Sequence, residues 1–191
     1  MCAPTKVLAV GDSIVAGDHL QWGVWDAWPA RTDPWQCRYQ IVNRGVGGSG
    51  VAAAAAALPG LLAETTPAEV WCLVGTNDLC HMHPDVLCGT LAQMCQTAAS
   101  AGAVWRQATI CPTASLYPWR SCHEPDRVAV NGWIRAYFGP WLLDFDAALR
   151  TPAGALDPVY DIGDRLHPNV LGHVRMADVA RNALIAHPGG T

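Results

Sequence analysis

The stretch LAVGDSIVAG, residues 8–17, lies near the start of the chain. An apolar run ends at Gly11, the polar pair Asp12 and Ser13 follows, and apolar residues resume at Ile14. This pattern predicts a strand that ends in a turn. Because serine is common in turns and at helix starts, the stretch leaves two interpretations of Ser13: a nucleophile, or the N-cap of a helix.

Four further short apolar runs predict strands, and helix-length segments separate them. Near-continuous apolar runs are typical of strands covered on both faces. The alternation of strands and helices therefore favours an α/β fold with a parallel sheet and helices on both faces. The predicted strands span residues 6–10, 39–43, 69–74, 103–110 and 141–145, and the helical patterns lie at 52–66, 87–98, 130–138 and 176–184.

The composition indicates a globular chain and excludes several partner classes. Of 191 residues, 51% are apolar and 15% are charged, which suits one domain over residues 1–191. The net charge is −4 with no basic stripe, so nucleic acid and anionic membranes are not expected partners. No apolar run reaches the roughly 18 residues of a membrane span, and no signal peptide is visible. We predict a cytoplasmic protein.

Cysteine and tryptophan are both abundant. The eight cysteines form no C-x-x-C pair, so we expect small buried thiols rather than a zinc site, with a disulfide framework as the alternative in an exported protein. Trp22, Trp25 and Trp28 recur at every third position. They fit either core packing or an aromatic wall beside a ligand site.

Polar motifs follow the first three predicted strands. They are GDS (11–13), NRGVGGSG (43–50) and GTND (75–78), and GDRLHPN (163–169) precedes the last helix. Because ligands bind beyond the carboxyl ends of parallel strands, the first three motifs should meet at one edge of the sheet. The fourth motif can reach that edge if its helix runs back along the sheet.

Together these motifs supply the parts of a serine hydrolase. A serine hydroxyl such as that of Ser13 needs a base, and His167 can take its proton. Asp164 can hold the other nitrogen of the imidazole. Asp157 and Asp161 are rival acids, but one turn of the loop places Asp164 beside His167.

The oxyanion of a tetrahedral intermediate needs hydrogen-bond donors. The candidates are the backbone N–H groups of Ser13 and Gly48 and the side-chain amide of Asn77, each worth about 3–4 kcal/mol in the transition state. Glycine suits position 48 where backbone comes close to the reacting atom. Asp12 and Asp78 are expected to brace loops, and an Asx-turn is the alternative role of Asn77.

The four motifs, in this order over residues 7–173, resemble the blocks of the SGNH (GDSL) hydrolase family. The resemblance implies a three-layer α/β/α sandwich around a five-stranded parallel sheet of flavodoxin-like topology. It implies Ser13, Asp164 and His167 as the triad and Ser13, Gly48 and Asn77 as the oxyanion hole. Gly48 is preferred to Gly45 and Gly47 because it follows Asn43 by five residues, the offset that the family's glycine block usually shows. Many members carry aspartate where this chain has Ser49.

The other histidines are interpreted as non-catalytic. His81 and His83, with Cys80, either line the mouth of the pocket or bind a metal. The rest lack a matched carboxylate and a strand-end position, so they are expected on the surface or in packing: His19, His123, His173 and His187.

The sequence therefore predicts a serine esterase that hydrolyses carboxylic esters or thioesters of small to medium acyl groups through an acyl-enzyme. No cofactor or metal is needed, and the partner is a small-molecule ester. Acyl transfer and carbohydrate O-deacetylation use the same triad and stay as alternatives, as does a non-catalytic binding module on the same fold. Nothing in the sequence indicates an oligomeric state.

Overall fold

The sheet has five parallel strands in the flavodoxin-like order β2-β1-β3-β4-β5. A computed structural model describes residues 3–79, 81–113 and 124–187 of the chain. All five predicted strands are present, so the predicted parallel α/β fold is confirmed. The strands are β1 (Thr5–Gly11), β2 (Tyr39–Gly45), β3 (Glu69–Leu73), β4 (Val104–Ala108) and β5 (Leu142–Leu143).

Helices cover both faces of the sheet and complete three layers. One face packs against α3, α4 and α5, and the other against α1, α2, α6 and α7. The helices are α1 (Ser13–Ala16), α2 (Trp28–Thr32), α3 (Val51–Thr65), α4 (Pro84–Ser100), α5 (Glu124–Phe138), α6 (Phe145–Leu149) and α7 (Val170–Ala186).

The central strand β1 explains why its sequence is apolar without interruption. Leu8 and Val10 point into the core beneath α3–α5, whereas Val7 and Ala9 point into the core on the other face. Burial of each large aliphatic side chain contributes about 1.5–3 kcal/mol. The strand is thus stabilised from both sides, and its carboxyl end delivers Asp12 and Ser13 to the edge of the sheet.

Strand β4 carries polar residues that find buried partners. Arg106 donates to Glu69 of β3 at 2.7 Å, and the two side chains are only 0% and 2% exposed. Strand β5 is shorter than predicted. Asp144 leaves the sheet because its side chain accepts the Ala147 N–H at 3.1 Å and caps α6.

The long helices follow the predicted apolar stripes. The alanine-rich segment forms α3, which buries Val51, Leu58 and Leu62. None of the described helices has both the length and the apolar character to cross a membrane. A single domain over residues 1–191 and a cytoplasmic location stay predictions.

The cysteines for which the structure gives a state are free thiols. Of these, Cys72, Cys88 and Cys111 are buried, Cys95 is half-buried and Cys37 is exposed. Buried thiols are therefore the majority among the described cysteines, as predicted. Cys2, Cys80 and Cys122 lie outside the described residues.

Candidate active site

The turn after β1 presents Ser13 at the start of a very short helix. Asp12 is extended and its Oδ1 accepts the Ile14 N–H at 3.0 Å, so Asp12 is the N-cap of α1. The alternative interpretation of Ser13 as the N-cap is thus wrong. Burial of the Asp12 carboxyl raises its pKa to about 7. The predicted bracing role of Asp12 matches this contact.

The loop 163–169 holds a carboxylate against a histidine. The N–H groups of Leu166 and His167 donate to Asp164 Oδ1 at 2.9 and 2.8 Å. Asp164 Oδ2 lies 2.5 Å from His167 Nδ1. Partial burial raises the pKa of Asp164, but the hydrogen bonds from His167 and Leu166 outweigh it, and the pKa falls below its usual value. Asp164 is therefore a carboxylate at neutral pH.

The other nitrogen of the same imidazole reaches the first turn. His167 Nε2 lies 2.9 Å from Ser13 Oγ, although the two residues are 154 positions apart. The side chains form a continuous Ser–His–Asp chain in which Asp164 fixes the ring and the ring faces the hydroxyl. This is the arrangement in which an imidazole removes a serine proton.

The rival carboxylates have other partners. Asp161 Oδ1 accepts the N–H groups of Gly163 and Arg165 at 2.8 and 2.9 Å. Asp157 Oδ1 accepts the Val159 N–H at 3.0 Å and caps a short 3₁₀ turn. Both shape the loop that carries Asp164 and His167.

The glycine-rich segment after β2 packs against α1. Asn43 Nδ2 donates to the Val15 carbonyl at 2.7 Å, and Asn43 Oδ1 accepts the Gly45 N–H at 2.9 Å. A Cβ on Gly45 would lie 2.3 Å from the Ala16 nitrogen. Close backbone approach therefore requires glycine at position 45.

Two anchors fix the loop around Gly48. Val46 donates its N–H to the Gly11 carbonyl at 2.9 Å, and Asn77 Nδ2 donates to the Ser49 carbonyl at 3.1 Å. Gly48 between them has φ +73°, and a Cβ there would meet nothing within 4 Å. This left-handed backbone favours glycine at position 48. The close approach of this backbone to the reacting atom stays a prediction.

Asp78 braces the neighbouring helix, as expected. Both of its carboxylate oxygens accept the Val51 N–H, at 3.0 and 2.9 Å. The N-cap of α3 is Gly50, which has no side chain to do this. Asp78 thus links the Asn77 loop to the start of α3 and to the Gly48 loop that precedes it.

His19 is the residue that sequence reasoning missed. It is exposed, as predicted, but its ring packs on the His167 ring with centroids 3.5 Å apart and planes tilted by 41°. The available signal was its position shortly after Ser13, in the segment that leaves α1. Further along that segment, Trp22 and Trp25 are 65% and 71% exposed, whereas Trp28 is buried.

His173 packs in the interior, as expected. Its Nδ1 accepts the Trp28 N–H at 3.0 Å. Burial, with the nearby charge of Arg31, lowers the pKa of His173 to about 3. This histidine is neutral and structural.

Three other histidines in the described part of the chain, His81, His83 and His187, are exposed. Cys80 lies outside the described residues, so the roles suggested for the 80–83 segment stay predictions. His123 also lies outside them.

Residues 9–175 match the model of the GDSL-like lipase/acylhydrolase family. The chain belongs to this family. It is therefore an ester-hydrolysing enzyme whose motifs and fold agree with those of an acylhydrolase. None of the proteins with curated functions matches the sequence.

Solved structures share the fold of this acylhydrolase over nearly its whole length. A protein assigned to the lipolytic G-D-S-L family from Desulfitobacterium hafniense has TM-score 0.81 and 19% identity, over 94% of this chain and 99% of that one. The acetylxylan esterase Axe2 from Geobacillus stearothermophilus has TM-score 0.74 and 20% identity, over 96% of both chains. The esterase EstA from Pseudoalteromonas has TM-score 0.69 and 20% identity, over 95% and 97%.

Proposed function

We propose that this acylhydrolase is a serine esterase with Ser13 as nucleophile, His167 as general base and Asp164 as the residue that orients His167. The observation that carries the proposal is the chain of contacts from Ser13 Oγ to His167 Nε2 at 2.9 Å and from His167 Nδ1 to Asp164 Oδ2 at 2.5 Å. A serine hydroxyl is too weak a nucleophile alone at neutral pH, and this contact supplies the base it needs.

The first half-reaction transfers the acyl group to the enzyme. Ser13 Oγ attacks the carbonyl carbon while its proton moves to His167 Nε2. The carbonyl π electrons move to oxygen and form a tetrahedral oxyanion. When the oxyanion collapses, the bond to the leaving alkoxide breaks and His167 returns the proton to that oxygen. Asp164 stabilises the imidazolium in between without taking its proton.

Gly48 N–H, the Asn77 side-chain amide and Ser13 N–H are the proposed oxyanion donors. Support comes from the anchors that bring their loops to one edge: Val46 to Gly11, and Asn77 to Ser49. Asn77 Nδ2 carries two hydrogens, so one remains for the oxyanion after the bond to Ser49. Preorganised donors of this kind contribute about 3–4 kcal/mol each.

Water completes the cycle by the same proton transfers. His167 removes a proton from water as water attacks the acyl-enzyme, and the proton then returns to Ser13 Oγ as the acid leaves. Each step uses groups of the chain itself. We propose carboxylic esters or thioesters of small to medium acyl groups as substrates.

Covalent labelling tests the proposal directly. A serine-directed phosphonate should modify Ser13, as located by peptide mass spectrometry, and abolish hydrolysis of p-nitrophenyl acetate. Ser13→Ala should lose both labelling and activity. Ser100→Ala is the matched control, because Ser100 is an exposed serine outside the proposed site. Its hydroxyl donates to the Gln96 carbonyl of the same helix. Hydrolysis that survives in Ser13→Ala would overturn the assignment.

Carbohydrate O-deacetylation is the second candidate, and the exposed rings of Trp22 and Trp25 favour it. Such rings offer flat apolar faces on which sugar rings can pack. Trp22→Ala and Trp25→Ala should then raise KM for an acetylated oligosaccharide while sparing p-nitrophenyl acetate. Equal effects on both substrates would exclude a sugar-binding role. Acyl transfer to an alcohol would be recognised by new ester formed when acceptor is added.

A further inference from the structure

His19 belongs to a cluster that the ester chemistry does not use in full. Its imidazole packs on the His167 ring with a centroid distance of 3.5 Å. His167 in turn contacts Asp164 through Nδ1. The proposed reaction employs Asp164 and His167 but gives His19 no task.

The donor atoms of the three side chains converge. One ligand atom from each of His19, Asp164 and His167 lies within 4.8 Å of the other two. Two imidazole nitrogens with one carboxylate oxygen form a typical donor set for Zn²⁺, which binds such atoms at about 2.0–2.2 Å. In the tetrahedral geometry that Zn²⁺ prefers, ligand atoms at this distance from the ion lie about 3.4 Å apart. Because His19 is exposed, its side chain can rotate to bring a ring nitrogen to that spacing.

We propose that His19, Asp164 and His167 form an inhibitory site for a divalent transition metal, with Zn²⁺ as its probe. The inhibitory effect rests on the proposed function, because it requires His167 to be the base. Both ring nitrogens of His167 already have partners, Ser13 at 2.9 Å and Asp164 at 2.5 Å. A metal bound to either nitrogen displaces one of these contacts, so the metal-loaded enzyme cannot activate Ser13.

His19 sets this site apart from a serine hydrolase triad alone. The pair Asp164 and His167 offers only two ligands to an ion. The third comes from the segment that leaves α1, where the His19 ring packs on the His167 ring. The site therefore holds metal only while His19 is present, and its removal leaves the side chains of the triad intact.

Metal binding is measured first, without reference to catalysis. The full-length Ser13→Ala protein, with the three ligands intact, is titrated with ZnCl₂ by calorimetry in a non-chelating buffer. The same titration is repeated with His19→Phe, which keeps a ring against His167 but removes both nitrogens, and with His19→Asn. His83→Asn is the matched control, because His83 also lies beside a carboxylate, Asp85, and asparagine can retain its helix-capping role.

Loss of a residue that only hydrogen-bonds to a metal ligand weakens metal affinity by about 10–100-fold. Loss of the ligand His19 itself should therefore weaken Zn²⁺ binding at least about tenfold. We expect this loss in both His19 variants and none in His83→Asn. Hydrolysis of p-nitrophenyl acetate by the unmodified enzyme should fall on addition of Zn²⁺ and recover with EDTA. The inhibiting concentration, referred to each variant's own uninhibited rate, should rise at least about tenfold in both His19 variants.

The outcomes separate the two proposals. Equal Zn²⁺ affinity with and without His19 overturns the metal site, whatever the activity. Binding that depends on His19 but leaves hydrolysis unchanged overturns the inhibitory role. If Ser13→Ala still hydrolyses ester, the proposed function fails, but the calorimetry still decides the metal site.

Discussion

The loop 163–169 and helix α7, which follows it, hold two histidines in opposite environments. His167 in the loop faces side chains through both ring nitrogens, Ser13 on one side and Asp164 on the other, and remains 12% exposed. His173 in the helix is 2% exposed, and its Nδ1 accepts a backbone N–H. The His167 ring lies within hydrogen-bond distance of a hydroxyl, whereas the His173 ring accepts a hydrogen bond from the backbone.

The difference shows that surroundings, not residue type, decide what a histidine does. In the proposed mechanism, Asp164 stabilises positive charge on His167, so that ring can hold the Ser13 proton during attack. For His173, burial and Arg31 both oppose a positive charge, and the pKa falls to about 3. Local spacing does not distinguish the two residues.

Removing each ring in turn gives the largest effect. His167→Ala should lower kcat for p-nitrophenyl acetate by about 10⁴-fold or more, since the base is lost. His173→Asn keeps an acceptor for the Trp28 N–H and should retain kcat within about tenfold. Similar losses in both variants would contradict the division of roles.

The carboxylate beside His167 comes next. In Asp164→Asn the new amide would donate to Nδ1, so Nε2 would carry the proton and could not accept from Ser13. We expect kcat to fall by about 10³–10⁴-fold.

Asp161→Asn is the matched control for Asp164→Asn. The side-chain oxygen of the asparagine can still accept the N–H groups of Gly163 and Arg165. It should therefore change kcat far less than Asp164→Asn. Equal turnover in the two variants would remove Asp164 from the triad.

The buried His173 ring should make the free energy of unfolding depend on pH. The unfolded chain protonates His173 below about pH 6.5, whereas the folded chain does so only near pH 3. The unfolded state therefore binds more protons in this window, and stability is lost as pH falls through it. The contribution is about 2 kcal/mol between pH 6.5 and 5. Urea unfolding of wild type and His173→Asn at both pH values measures it as a difference.

The comparison of wild type with His173→Asn is needed because Asp12 changes the stability with pH in the opposite direction. Burial raises the pKa of Asp12 from 3.8 to about 7, so the folded state binds more protons between these values. Its contribution to stability therefore falls as pH rises through that window. Asp12 is present in both proteins and cancels. An unchanged gap between wild type and His173→Asn at the two pH values would mean that His173 protonates without penalty.

The junction between the two regions should give the smallest effect. Asn169 caps α7 through the Gly172 N–H at 3.0 Å and donates to the carbonyls of Val159 and Asp161. Asn169→Ala should lower the free energy of unfolding by about 1–2 kcal/mol, as loss of a cap does. Asn182→Ala, at an exposed position of the same helix, should lower it by less than about 0.5 kcal/mol. Equal losses would show that the cap does not join loop to helix.

Much of the fold could be predicted because buried positions are apolar, and their spacing differs between strands and helices. Strand β1 is apolar at successive positions since both faces are covered, and the stripe in α5 marks Val130, Ile134 and Phe138 as buried. The length of β5 could not be predicted. The strand ends before Asp144, because Asp144 is the N-cap of α6 and does not continue the strand.

The candidate site divides in the same way. The motifs after β1 and β3 predicted Ser13 and Asn77, and the motif before α7 predicted Asp164 and His167, because the chemistry restricts which residue types can serve. His19 escaped because its neighbours in sequence carry no partner for it, and its partner His167 is distant along the chain. The left-handed backbone of Gly48 was also not predicted, because the sequence shows the glycine but not its backbone angle.

The sequence alone therefore determined the alternation of strands and helices, the edge at which the motifs meet and the set of reactive groups. The spacing of apolar residues and the position of a motif after a predicted strand are local properties, so they can be read from the sequence alone. Tertiary structure alone decided that His173 is buried in the interior of the fold, that the His167 ring reaches Ser13, and that the His19 ring packs on it. These contacts depend on distances of a few ångströms between segments up to 154 residues apart in sequence. The packing of helices on both faces of the sheet sets such distances.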